Sequence, residues 1–174
     1  MELAQILNYL AYLIPAVIVA IIAFYFFKGY MADEEKRRHF QILKDTYSKV
    51  LPMRLQAYER MTLFLERIDP NKLLIRVKPF SDEIGKYEEL LVKNIDQEYE
   101  HNISQQIYIS PECWNLIQTA KNATMHIIRQ TAMSDKIDDA DKLRESLLNH
   151  FMGEITPSQK AMMYLKKEVN ELFG

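Results

Sequence analysis

From Leu3 to Phe27 the chain carries no charged residue, and no other feature limits its possible folds as much. At about 1.5 Å per residue, a helix over Ile6 to Phe27 runs roughly 33 Å, enough to cross a hydrocarbon core about 30 Å thick. Buried helices of soluble proteins seldom keep more than about 20 apolar residues without interruption, so the reading is a membrane-spanning anchor. Pro15 removes one backbone donor, which spans tolerate better than soluble helices do. Tyr9 and Tyr12 lie toward one end, while Phe24, Tyr25, Phe26, Phe27 and Tyr30 crowd the other. Aromatic side chains gather in this way at membrane interfaces.

A cleaved signal peptide would need a basic start, a shorter apolar core and a small-x-small cleavage site, and none is evident. Only Glu2 is charged ahead of the run, whereas Lys28, Lys36, Arg37, Arg38, Lys44 and Lys49 follow it. The positive-inside bias therefore puts the N-terminus outside and the C-terminal part in the cytoplasm, which makes residues 1–30 the anchor and 31–174 a cytoplasmic helical domain. The run Asp33 to Arg38 reads as a solvated juxtamembrane helix start, because Asp33, Glu34 and Glu35 offset most of the attraction of its basic residues for headgroups.

The formal charge is only -2, with Lys and Arg interleaved among Asp and Glu, so no nucleic-acid partner is expected. Cys113 is the sole cysteine, which excludes an intrachain disulfide and fits a reducing compartment. Helix formers abound and glycines number four, a composition suited to an all-α fold: an N-terminal transmembrane helix, a long amphipathic helix and a cytoplasmic helical bundle.

Phe40, Leu43, Tyr47, Val50, Leu51, Leu55, Tyr58, Met61, Leu65 and Ile68 recur at spacings of three and four, the mark of an amphipathic helix. The average spacing admits a coiled coil, but Leu63 and Phe64 widen the apolar face of the distal half and favour burial within a bundle. Pro52 is expected to kink or divide this helix, and Asp69 with Pro70 to close it. Leu73 to Val77 reads as an extended connection before Pro79. Ser81 is placed as the cap of the next helix, with Ile84, Tyr87, Leu91, Ile95 and Tyr99 on its apolar side. Ser110 and Pro111 open another helix, Ser134 and Asp135 a further one that stops near Gly153, and Thr156, Pro157 and Gln159 form a capping-box start for the last.

Few of these residues combine into chemistry. Glu98 and His101 have the spacing of one half of a di-iron carboxylate site, but the second half is missing, and His39, His126 and Cys113 do not pair as zinc ligands do. The four glycines never cluster into a phosphate-cradling loop. Cys113 sits in the first turn of a helix, where the dipole lowers a thiol pKa, beside Trp114, which suggests packing instead. Arg144 followed by His150 resembles the Arg-to-His motif of HEPN-type ribonucleases, although Glu145 departs from the commoner pattern, and a structural role for the pair is the simpler expectation. No catalytic, metal or cofactor residue is assigned. The candidate site is instead an interaction surface, Phe40, Leu43 and Tyr47, near the membrane and open to a second copy or another protein.

The run from Leu55 to Pro70, LQAYERMTLFLERIDP, resembles a segment of uncharacterised single-pass proteins of Bacteroidota. That resemblance implies a bacterial inner membrane and brings no activity. The function expected is a non-enzymatic scaffold or adaptor that presents a helical domain at the cytoplasmic membrane face, with the bilayer and a protein as partners. The alternatives are a membrane-tethered HEPN-like ribonuclease using Arg144 and His150, and an accessory subunit of a larger membrane complex whose span packs through Ala4, Ala11, Ala16 and Ala20.

Overall fold

The computed structural model describes residues 2–173, with the side chains of 12–31 and 33–173, and among them no strand forms. The side chains of Ala4, Tyr9 and Ala11 lie outside the described residues. The chain divides into two units, residues 1–50 and residues 51–174.

In the first unit the chain is helical as part of α1 (Glu2–Ile68). This helix is long and apolar enough to cross a membrane by length and composition. Its described side chains from Tyr12 to Val50 are exposed, apart from the half-buried Ala23. Neighbouring rings meet edge to face, Phe24 with Tyr25 at 5.9 Å and Phe26 with Phe27 at 6.2 Å. Pro52, expected to kink or divide the amphipathic stretch, does not end α1. Its missing N–H orphans the Ser48 carbonyl, but both residues are exposed, so water can take that acceptor.

The second unit packs the end of α1, α2 (Pro70–Arg76), α3 (Ile84–Glu100), a short 3-10 helix (Ile103–Ile107), α4 (Pro111–Ala132), α5 (Ala140–Phe151) and α6 (Pro157–Glu171) around one core. α4 is central and packs on α3, α5 and α6, while α2 lies on α5. The distal apolar face of α1 supplies Ala57, Met61, Phe64, Leu65 and Ile68 to the core. Tyr58 bonds to Glu168 near the end of α6 and Asp69 to Ser158 near its start, so α6 runs antiparallel to α1 within this unit.

Capping explains most of the starts. Ser110 accepts from the Cys113 N–H with Pro111 at the first helical position, and Thr156 with Gln159 forms the full reciprocal capping box. Three expectations are corrected. The run Leu73 to Val77 is not an extended connection, since Leu73 to Arg76 belong to α2 and only Val77 is extended. Asp69 caps that helix through the Asn71 N–H, Pro70 opens it, and Leu73 and Leu74 are buried. Ser81 does not cap α3, which begins two residues beyond Asp82, whose carbonyl instead accepts from the Ala140 N–H at the start of α5. α5 does not begin at Ser134 and Asp135, because the Asp139 carboxylate caps it by accepting from the Lys142 N–H. Gly153 ends the following turn at φ 82°, a left-handed conformation that suits glycine.

Candidate interaction surface and a polar clasp

Phe40, Leu43 and Tyr47 stand 68%, 54% and 55% exposed, and Val50, next at the same spacing, 41%. Read on in the sequence, this register reaches Ala57, Met61, Phe64 and Ile68, which the second unit buries. The same pattern is thus covered at its distal end and left open from Phe40 to Val50. What the open residues offer is about three turns of apolar surface, the kind of face an amphipathic partner covers.

The register breaks at Arg54, and the reason lies in the packing. The Arg54 guanidinium donates to the Tyr108 carbonyl at 3.1 Å and to the Tyr58 hydroxyl at 2.9 Å. Tyr58 donates to Glu168 Oε1 at 2.6 Å, and the same carboxylate accepts from the Ser110 N–H at 3.0 Å and, through Oε2, from the Ser110 hydroxyl at 2.5 Å. Arg54 itself stands 4.0 Å from Glu168. Glu168 therefore joins α1, α6 and the start of α4. Burial works against its ionisation, but the bonds from Ser110 and Tyr58 outweigh that and hold the carboxyl below its usual range. Burial, with the Glu168 charge close by, pushes the Tyr58 hydroxyl up to about 12. A deprotonated carboxylate saturated with donors is a fastener: it has no proton to give and little basicity to offer.

A second fastener sits at the opposite end of the α1–α6 pair. Asp69 Oδ2 accepts from the Thr156 hydroxyl at 2.7 Å and the Ser158 hydroxyl at 2.9 Å, while Oδ1 accepts from the Asn71 N–H at 3.1 Å. All three polar side chains are buried. One carboxylate thus serves the cap of α2 and the start of α6 together.

The family model for a family of unknown function, DUF7935, matches residues 4–172. The chain belongs to DUF7935. The match takes in the apolar N-terminal run, the open stripe and both fasteners, so the DUF7935 pattern extends over the two units. No curated protein and no solved structure matches this chain.

The other sequence candidates of this DUF7935 chain stand apart from the stripe and the clasp. Arg144 donates through Nε to the Leu74 carbonyl at 2.8 Å, and the exposed His150 sets its ring edge to face against Phe151 at 4.9 Å. Six residues apart on one helix, the two lie about 240° round its axis and point to different sides. Glu98 is held by Arg67, which donates to it at 2.6 Å, with Arg76 at 4.0 Å. Cys113 is fully buried, and burial, with Glu168 adding to it, pushes its thiol up to about 12, opposite to the lowering a helix N-terminus alone would give. Among the described residues no group of three His, Cys, Asp or Glu stands close enough to hold a metal. Sequence reasoning missed both fasteners. Glu168 lies three residues after Leu165 and seven after Ala161, so a charge on the buried stripe of α6 was the available signal.

Proposed function

We propose that this protein is a single-pass, membrane-anchored helical adaptor of a bacterial inner membrane, with its N-terminus outside and its helical bundle in the cytoplasm. Its role is to present Phe40, Leu43 and Tyr47 to a protein partner just beyond the bilayer. The observation that carries this reading is the open stripe itself, an apolar face that continues a register buried elsewhere and that lies on the same helix as a run apolar enough to span a membrane. Orientation rests on the basic residues that follow the span. The bacterial assignment rests on the resemblance of Leu55 to Pro70 to segments of Bacteroidota proteins.

Leaving such a face in water is unfavourable, since burying one large aliphatic or aromatic side chain is worth roughly 1.5 to 3 kcal/mol. A paired substitution tests the assignment in the full chain extracted in mild detergent. Leu43→Asp should leave the thermal melt of the second unit unchanged and reduce the mass of the assembly. Leu65→Asp, at a buried position, should unfold the unit. Equal unfolding by the two substitutions would make the proximal stripe ordinary core and end the proposal.

A further inference from the structure

The charges around the open stripe select its partner. In a heptad register with Phe40 and Tyr47 at one seam position and Leu43 and Val50 at the other, Lys36 falls on the seam one turn earlier. Arg37 and Lys44 border one side, and His39 and Thr46 the other. All of these side chains are exposed, and Asp45 falls at the back of the helix. Asp33 also falls on the seam, and no ion pair joins Asp33 or Glu34 to Arg37 or Arg38 among the described residues. On the seam and its flanks the cations Lys36, Arg37 and Lys44 outnumber the one acid, Asp33, and none of the three enters an ion pair among the described residues.

Two other occupants fit less well. A second copy anchored in the same membrane runs parallel, which sets Lys36 against Lys36 and Asp33 against Asp33 on the seam and Lys44 against His39 beside it. Anionic headgroups lie too near the span. Counted from Phe27, α1 carries Phe40 roughly 20 Å and Val50 roughly 35 Å along its axis, whereas the headgroup layer is about 5 to 8 Å deep on each side.

We infer that the face from Phe40 to Val50 receives an acidic amphipathic helix of a partner protein, whose carboxylates flank its apolar residues and meet Lys36 and Lys44. This rests on the adaptor reading above and specifies the partner's chemistry.

The test uses the full chain in nanodiscs of zwitterionic phosphatidylcholine and two fluorescent heptad peptides of about three heptads, identical in their leucine seam. One carries Glu and the other Lys at the flanking positions. Anisotropy titrations at low salt should show the acidic peptide binding on the order of tenfold more tightly or better, with the difference shrinking as salt rises. Lys36→Glu with Lys44→Glu should reverse the preference while circular dichroism and Trp114 fluorescence stay unchanged, and Leu43→Asp should weaken both peptides. Failure of the acidic peptide to bind, equal binding of the two, or an unchanged preference in the double variant overturns the inference. So does a dimer of the wild-type chain that Leu43→Asp dissolves, which would make a second copy the occupant. Burial of a probe at position 43 in anionic nanodiscs would likewise make lipid the occupant. If the peptides show no charge preference while Leu43→Asp still reduces the assembly mass in detergent, the adaptor reading survives and only the acidic chemistry falls.

Discussion

Replacing Glu168 by glutamine keeps the shape of the clasp and removes its charge. The Ser110 N–H cannot turn into an acceptor, so the amide oxygen must stay at the Oε1 position, where it still receives Ser110 and Tyr58. The amide nitrogen then faces the Ser110 hydroxyl, which must rotate and accept. Three bonds to an ion become three between neutral groups, and as hydrogen bonds to charged groups contribute roughly 1.5 to 3 kcal/mol against 0.5 to 1.5 for neutral ones, the loss summed over the three should be about 3 to 4 kcal/mol. Alanine leaves the donors of Tyr58 and Ser110 without an acceptor, each at a cost of about 1 to 3 kcal/mol where buried, so its loss should exceed that of glutamine. Urea titration of the full chain in detergent, followed by fluorescence of the single, buried Trp114, measures both. The pH dependence has a definite sign. Because the native carboxyl is held below its ordinary value of 4.5, its contribution is fully present above that pH and is lost as pH falls through the native value. The gap between wild type and Glu168→Gln should therefore close in acid. A glutamine variant within about 0.5 kcal/mol of wild type at neutral pH, or a gap that persists in acid, would refute the clasp.

Three further outcomes follow from the buried polar groups. Asp69→Ala should cost about 3 kcal/mol in the same titration, because the Thr156 and Ser158 hydroxyls lose a shared acceptor and α2 its cap, and Asp69→Asn should cost less; an alanine variant as stable as wild type would reject the hub. The Cys113 thiol should resist Ellman's reagent at pH 8 until urea unfolds the chain, and reaction at the rate of a free thiol would contradict its burial. As its native value of about 12 exceeds the ordinary 9.0, stability should fall as pH rises past 9, and Cys113→Ala should remove that part of the slope.

Where local chemistry decides an element, it could be read without coordinates. Ser110 with Pro111, and Thr156 with Pro157 and Gln159, carry cap and first turn within four residues, and the spacing from Leu55 to Ile68 is long enough to declare its period. The run Leu73 to Val77 is too short for that, so its helix depends on Asp69 and Pro70 before it and on burial that only tertiary packing supplies. Ser81 and Ser134 were misleading because each precedes a plausible first turn, while the actual starts lie at Ile84 and Ala140, beside a contact between Asp82 and Ala140 that no local pattern encodes. The clasp was the least legible part. Tyr58 and Glu168 are 110 residues apart, and only the interruption at Arg54 and the charge on the stripe of α6 hinted that two apolar registers had been broken for a common purpose. The spacing of Phe40, Leu43 and Tyr47 marks a single helix face, and the structure leaves that face exposed.

The most direct test places a photo-activated crosslinking residue at position 43 or at position 65 of the full chain in cells and analyses carbonate-washed membranes. The account predicts that both variants stay with the membranes, that position 43 yields a discrete adduct with another protein, and that buried position 65 yields none. Release of the chain by carbonate, or a position 43 that crosslinks no more than position 65, would contradict it.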